Sequence, residues 1–372
     1  MTEGDVKVKM RRQETESVFG FKMDQRENVQ PMTGAEELGG KLLEGVSRSF
    51  YLTLKALPQG LREPLSLAYL LARAADTMAD TIQVPDAVRL TCLAEFERRV
   101  RLPLRDPIAE GVLVARLMVD FVPHQEDAHE ARLLERLQEA LDVFHASSES
   151  QKAAMVGVLG PIIQGQMLDI QRFPGDGNLR ALATRQDLDD YTYLVAGCVG
   201  EFWTRLCATE AEGSFNDGVS LDEMVARGIR YGKGLQLVNI LRDPGKDLKL
   251  GRCYIPEEAL QTAGLGVADI QADPAKLMPL LTPWKKLCLE HLQEGIRYLD
   301  EVKNKRLLYA TALPLLLGIK TLALIEAADW RSLEAGVKVS RGEVSKVLLE
   351  AGVAVLRKGG MRKLAERYLG GR

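Results

Sequence analysis

Residues 68–81 read AYLLARAADTMADT, and two aspartates, Asp76 and Asp80, stand four apart in an otherwise apolar run. On a helix they share one face, with Cβ atoms roughly 6 Å apart. Arg73 lies one turn earlier on that face and Tyr69 one turn before it. Adjacent like charges on a segment whose other residues favour burial are costly unless a cation neutralises them. The spacing Tyr69–Arg73–Asp76–Asp80 predicts a half-buried helix with a polar stripe.

A second stretch repeats the pattern. In YGKGLQLVNILRDPGKDLKLGRCYIP (231–256), Asp243 and Asp247 are again four apart, flanked by Arg242 and Arg252. Gln236, Asn239 and Asp243 fall on one helical stripe, with Leu237, Val238 and Leu241 turned away. A solvated helix face is the ordinary reading of one such pair. Two pairs, each in an apolar helix beside an arginine, suit Mg²⁺, which takes one or two carboxylates plus phosphate oxygens and waters. Arginines supply bidentate donors to the same phosphates. Together they describe a cavity that clamps diphosphates. Pro244 removes a backbone donor, so the helix is expected to kink or end near Asp243, which bears on the placement of Asp247.

Outward from these motifs the chain reads as mostly helical. Apolar residues recur at helical spacing in AVRLTCLAEFERRV, KAAMVGVLGPIIQGQMLDI, LDDYTYLVAGCVGEFWTRLCATE and GEVSKVLLEAGVAVLRKG. Strand-like alternation is nearly absent, and links such as RFPGDGNLR are short and carry turn residues. The expected organisation is a leader over 1–33 and one all-α domain over 34–372.

Composition limits the partners. A net charge of −3 offers no general attraction to nucleic acid, so any anion must be held by local basic residues. Five scattered cysteines without CxxC spacing fit free core thiols in a reducing, cytoplasmic setting and argue against a zinc site. TALPLLLGIKTLALIEA (311–327), broken by Pro314 and Lys320, is too short to span a bilayer and reads as a core helix. No signal peptide or C-terminal anchor is expected, and membrane contact is at most peripheral.

These residues resemble the squalene/phytoene synthase family, the head-to-head branch of the all-α isoprenoid synthases. The resemblance rests on VSRSFYLTLKALP (46–58), AYLLARAADTMAD (68–80), YTYLVAGCVGEFW (191–203), LQLVNILRDPGKD (235–247) and AGVKVSRGE (335–343). It implies a single helical bundle around a central cavity, with Asp76, Asp80, Asp243 and Asp247 as Mg²⁺ ligands. It further implies that Arg48, Arg73, Arg242 and Arg252, with Gln236 and Asn239, meet diphosphate. Tyr69, Tyr193 and Arg73 become catalytic candidates. The implied reaction joins two farnesyl diphosphates through presqualene diphosphate, with NADPH reduction to squalene for sterol or hopanoid synthesis. Deprotonation instead gives dehydrosqualene or, from C20 substrates, phytoene. AGVKVSRGE is similar to a segment associated with NADPH, which makes Lys338, Ser340 and Arg341 cofactor candidates alongside Arg48, Arg73 and Arg242.

Three departures from the family pattern stand out. Ala79 and Lys246 occupy positions that are often acidic, and Leu194 precedes VAG where a Tyr is usual. Besides dehydrosqualene, phytoene or presqualene diphosphate synthesis, these departures leave open a catalytically lapsed homologue that binds prenyl lipids.

Overall fold

Four long helices owe their placement to apolar faces that meet around one cavity. The computed structural model describes residues 38–370, apart from 48, 103, 104 and 212. The leader and Arg48 expected from sequence lie outside the described residues.

Helix α1 (Gln59–Asp80) buries Leu61, Leu65, Ala68, Leu71 and Ala75 at helical spacing. At its end, Thr81 turns its hydroxyl back onto the carbonyl of Thr77 at 2.7 Å, satisfying one of the last-turn acceptors. Helix α2 (Asp86–Arg101) follows, and α3 (Glu149–Arg172), capped by Ser148, packs against both. Helix α4 (Arg185–Thr192) opens with a reciprocal Thr184–Asp187 capping box and runs through a π-helical turn, Tyr193–Gly197, into α5 (Cys198–Glu210).

Helix α6 (Leu221–Arg242) lies against α5. Glycines at 200 and 228 allow the two backbones to touch where any Cβ would collide. Helix α6 ends at Pro244, which cannot donate to the preceding turn, and a short helix α7 (Pro244–Lys249) begins there. Helices α8 (Thr282–Asp300), α9 (Lys305–Ala327), α10 (Arg341–Ala354) and α11 (Gly360–Gly370) complete the bundle.

The core has two apolar clusters, one around α1, α3 and α5 and one around α6, α8 and α9, with Leu308 and Tyr309 packed against both. Among the described residues α3 and α9 are long and apolar enough to cross a membrane, which corrects the expectation that the 311–327 run is too short, since α9 already begins at Lys305; each is about half buried inside the bundle. Lys320, in the middle of α9, is neutralised by Glu343 at 2.7 Å and lies 4.3 Å from the centre of the Tyr368 ring. All five cysteines are buried, with no disulfide among the described residues.

Among the described residues, a short sheet and an isolated bridge between Phe215 and Val302 depart from the helical pattern. Strand β1 (Arg180–Ala181) pairs in parallel with β2 (Arg252–Cys253), Arg180 opposite Arg252. Local periodicity carries no trace of it, because the two partners are distant in sequence.

Candidate active site

A cavity of about 390 Å³ runs between α1, α3, α5, α6 and α9. Its walls are mainly apolar, with Leu65, Ile162, Val199, Phe202, Trp203 and Leu235 among them. From Leu65 to Asp76, both lining residues of α1, the wall is roughly 16 Å long at 1.5 Å per residue. Arg73, Asp76 and Gln166 give the cavity one polar end.

At that end α1, α3 and α6 all present their C-termini. The negative pole of each helix faces the same region, and three helix ends carrying Asp80, Asp169 and Asp243 make it strongly receptive to cations.

Asp76 is held from two sides. Gln166 donates to Oδ1 at 2.9 Å, and Arg73 pairs with Oδ2 while also reaching Glu130. Crowding out of water, then the neighbouring Asp80 carboxylate, push Asp76 up to about 6, against the opposing pull of Arg73. In the second motif, Arg242 donates through Nε to both carboxylate oxygens of Asp243, at 2.9 and 3.0 Å.

Asp243 has left helical geometry (φ −110°, ψ 23°), as expected from Pro244. Yet Asp247 N–H still bonds the Asp243 carbonyl at 3.0 Å, so the new helix restores the four-residue spacing. Burial and Asp243 push Asp247 up to about 7.

Asp169 and Arg252 join the two motifs. Arg252 Nη1 donates to Asp169 Oδ2 at 2.9 Å. The Asp80 carboxylate acts on both members of this pair, and Asp247 feels both as well. Tyr254 donates to Asp169 at 2.9 Å, and Tyr191 in turn donates to Tyr254 at 3.3 Å. Sequence reading missed Asp169, Gln166 and Tyr254. A signal was present: Gln166 and Asp169 are polar residues three apart on an otherwise apolar helix face.

The other sequence candidates fall in different places. Tyr69 lines the cavity and donates to the Val46 carbonyl at 3.2 Å. Tyr193 is not among the cavity-lining residues; its hydroxyl donates to Glu201 at 3.1 Å. Gln236 and Asn239 pair with each other at 3.3 Å on α6, two turns and one turn short of Asp243 respectively. Lys338 is exposed on the loop before α10. Ser340 uses its hydroxyl as the N-cap of α10, accepting from Glu343 N–H at 3.2 Å, and Arg341 opens that helix. The segment ahead of this loop packs on α7, so closely that a Cβ on Gly245 would come within 2.5 Å of Glu334 Cα.

The sequence pattern of the family described as squalene/phytoene synthase matches residues 43–343. The chain belongs to that family. Among its relatives, squalene synthase ERG9 of Candida albicans is 26% identical over 344 residues, covering 90% of this chain and 71% of that protein. The squalene synthase of Eremothecium gossypii is 28% identical, covering 84% and 66%. The lycopaoctaene synthase of Botryococcus braunii is 26% identical, covering 83% and 64%. The chain thus spans about two thirds of the length of these relatives. In fold it is similar to TcSQS in complex with the ligand BPH1237 (TM-score 0.69, 20% identity, 91% of this chain and 92% of that one). It is also similar to a dehydrosqualene synthase (TM-score 0.58, 19% identity, 87% and 98%). This is the all-α isoprenoid synthase fold.

Among the described residues no three His, Cys, Asp or Glu side chains form a ready-made metal cage. The donor set fits Mg²⁺ of the kind that needs substrate to complete its shell: two aspartate pairs on separate elements, all oxygen donors. Arg73 and Arg252 each keep a buried Nε without a protein partner, as do Arg62 and Arg89 elsewhere in the fold.

Proposed function

We propose that the chain is a squalene synthase, joining two farnesyl diphosphates head to head and reducing the presqualene diphosphate intermediate with NADPH. The observation that supports this reading is the closeness of two aspartate motifs, joined through Asp169 and Arg252, with Asp76 of the first motif at the polar end of an apolar cavity. The chain is a prenyltransferase of its family; the product and cofactors are the proposal.

The residues would work as follows. Asp76, Asp80, Asp243 and Asp247 hold Mg²⁺, which when bound neutralises diphosphate charge and assists its departure. Arg73, Arg242 and Arg252 donate to the same leaving group as its charge grows. The ring of Tyr69 and the apolar walls face the allylic cation and keep water from it. The second substrate's double bond attacks that cation, and the tertiary cation so formed closes to the cyclopropane of presqualene diphosphate by losing a proton to the released diphosphate. A second ionisation rearranges the skeleton, and NADPH, when bound, would supply the hydride that quenches the rearranged cation. Lys338 and Arg341 are the basic residues left to meet the cofactor's phosphate, since the Ser340 hydroxyl caps α10. The protein would act in the cytoplasm, with at most peripheral membrane contact.

Purified protein incubated with farnesyl diphosphate and Mg²⁺, with and without NADPH, tests the reading by mass spectrometry of the products. Squalene only with NADPH supports it. The same hydrocarbon with or without NADPH replaces it with dehydrosqualene or phytoene synthesis, and no condensation at all replaces it with a prenyl-lipid-binding homologue.

A further inference from the structure

Asp169 is a carboxylate that the diphosphate chemistry does not call for. It lies in the last turn of α3, 7% exposed, with Asp80 acting on it from one motif and Asp247 within reach from the other. A third acid between two acidic pairs raises the cost of the cation-free site. A carboxylate kept there for stability alone would be expected to engage its arginine through both prongs of the guanidinium, the stronger geometry. It does not. Only Nη1 of Arg252 reaches Asp169, while Nε of Arg252 is buried and has no protein partner.

The rest of the arrangement fixes the carboxylate itself. Tyr254 donates across both oxygens of Asp169, at 2.9 and 3.0 Å, and its ring stacks on Tyr191 with centroids 4.9 Å apart. The backbone of Arg252 is fixed independently by the parallel pairing with Arg180. The guanidinium is therefore held through its backbone, through Nη1 on Asp169 and by Tyr254 beside it, while its buried Nε keeps no protein partner.

We propose that Asp169 is a positioning residue that aims Arg252 at a substrate diphosphate, with Tyr254 locking the carboxylate in place. This rests on the reading of Arg252 as a diphosphate ligand. It assigns work to a residue that touches neither substrate nor metal in the scheme above, and it makes the two-residue strand β2 part of the active site.

The test is titration of inorganic pyrophosphate into the full-length protein in excess MgCl₂, followed by calorimetry. Arg252→Ala is expected to weaken binding about ten-fold or more, and Asp169→Asn to reproduce most of that loss. The double variant should bind no worse than Arg252→Ala alone, because Asp169 acts only through the arginine. Tyr254→Phe should give a partial loss of about two- to three-fold. In steady state, Asp169→Asn should raise KM for the prenyl diphosphate more than it lowers kcat.

Losses that multiply in the double variant overturn the proposal. So does wild-type pyrophosphate binding by Asp169→Asn or by Tyr254→Phe when Arg252→Ala binds weakly. Should Asp169→Asn fail to fold, Tyr254→Phe decides by itself. If Arg252→Ala itself binds like wild type, the diphosphate role of Arg252 falls, and the positioning role with it.

Discussion

The two aspartate motifs have the same spacing and opposite backbone solutions. Asp76 and Asp80 ride one uninterrupted helix, and Arg73 and Gln166 support Asp76. Asp243 caps one helix and Asp247 belongs to the next, with Pro244 between them. The break does not separate the pair, since the new helix re-forms the bond from Asp247 N–H to the Asp243 carbonyl. It does change what the motif touches. A continuous α6 would carry Gly245 onward along the old axis; the break instead turns α7 against the segment that carries Glu334, just ahead of the Lys338 loop. The first motif sets Asp76 in the cavity wall, and the second packs through Gly245 on the segment that leads to the C-terminal cofactor candidates.

The comparison breaks most easily by removing charge. Asp76→Asn and Asp243→Asn should each lower turnover by at least about a hundred-fold, some 2.7 kcal/mol of transition-state stabilisation. Folding should survive, because Arg73 keeps Glu130 as a partner and the asparagines keep their shape. Product formation from farnesyl diphosphate, alongside a thermal melt, checks both halves. A variant that keeps more than about a tenth of the wild-type rate takes its motif out of the catalytic metal site.

The next effect separates the motifs. Gly245→Ala places a Cβ against the Glu334 backbone, which cannot rotate away as a side-chain tip could. The displaced segment leads into the Lys338 loop. The expected result is about ten-fold higher KM for NADPH with a smaller change for farnesyl diphosphate, and a stability loss of about 1–3 kcal/mol from overpacking. Equal damage to both KM values would mean that the contact through Gly245 does not reach the Lys338 loop.

Sequence spacing revealed the helical fold and both motifs because each is written within one or two turns. The helix break at Asp243 was legible too, from Pro244 alone. Tyr254 was not, because it meets Asp169 only through a fold that joins residues 85 positions apart, and Asp169 showed only as a polar residue three places from Gln166 on an apolar helix face. Tyr193 illustrates the reverse problem. Its place in YTYLVAG suggested the cavity, but the π-helical turn over Tyr193–Gly197 alters which side chains of that segment face inward, and Val195 and Ala196 line the wall instead.

Proton linkage distinguishes the metal-free motifs more gently. Asp76 at about 6 and Asp247 at about 7 both lie above their unfolded values, so the folded state binds more protons than the unfolded one between about pH 4 and 7. Stability without metal should therefore fall as pH rises through that window, with Asp247 extending the loss to the higher pH. In EDTA, Asp247→Asn should melt a few degrees above wild type at pH 8 and level with it at pH 5. Asp76→Asn should gain its advantage about one pH unit earlier. MgCl₂ should erase the wild-type penalty. A wild-type protein that becomes more stable with rising pH in EDTA would contradict the crowding of carboxylates at this end of the cavity.

The smallest effect is expected at Tyr193. Its hydroxyl donates to Glu201 at 3.1 Å, and Lys233 lies 6.0 Å from its ring centre. Burial, with Glu201 next, raises its pKa, so it holds its proton throughout the working range. A phenol that spends its proton on a carboxylate away from the cavity has no short path to an allylic cation. Tyr193→Phe removes one half-exposed hydrogen bond, worth about 1 kcal/mol at most. Condensation should change less than about two-fold, and the ratio of reduced to deprotonated product should stay the same. Tyr69→Phe is the internal control, because Tyr69 lines the cavity between Ala68 and Ala72. If Tyr193→Phe proves the more damaging of the two, the π-helical turn must rearrange when substrate binds, and Tyr193 returns to the reacting cation as its sequence motif first suggested.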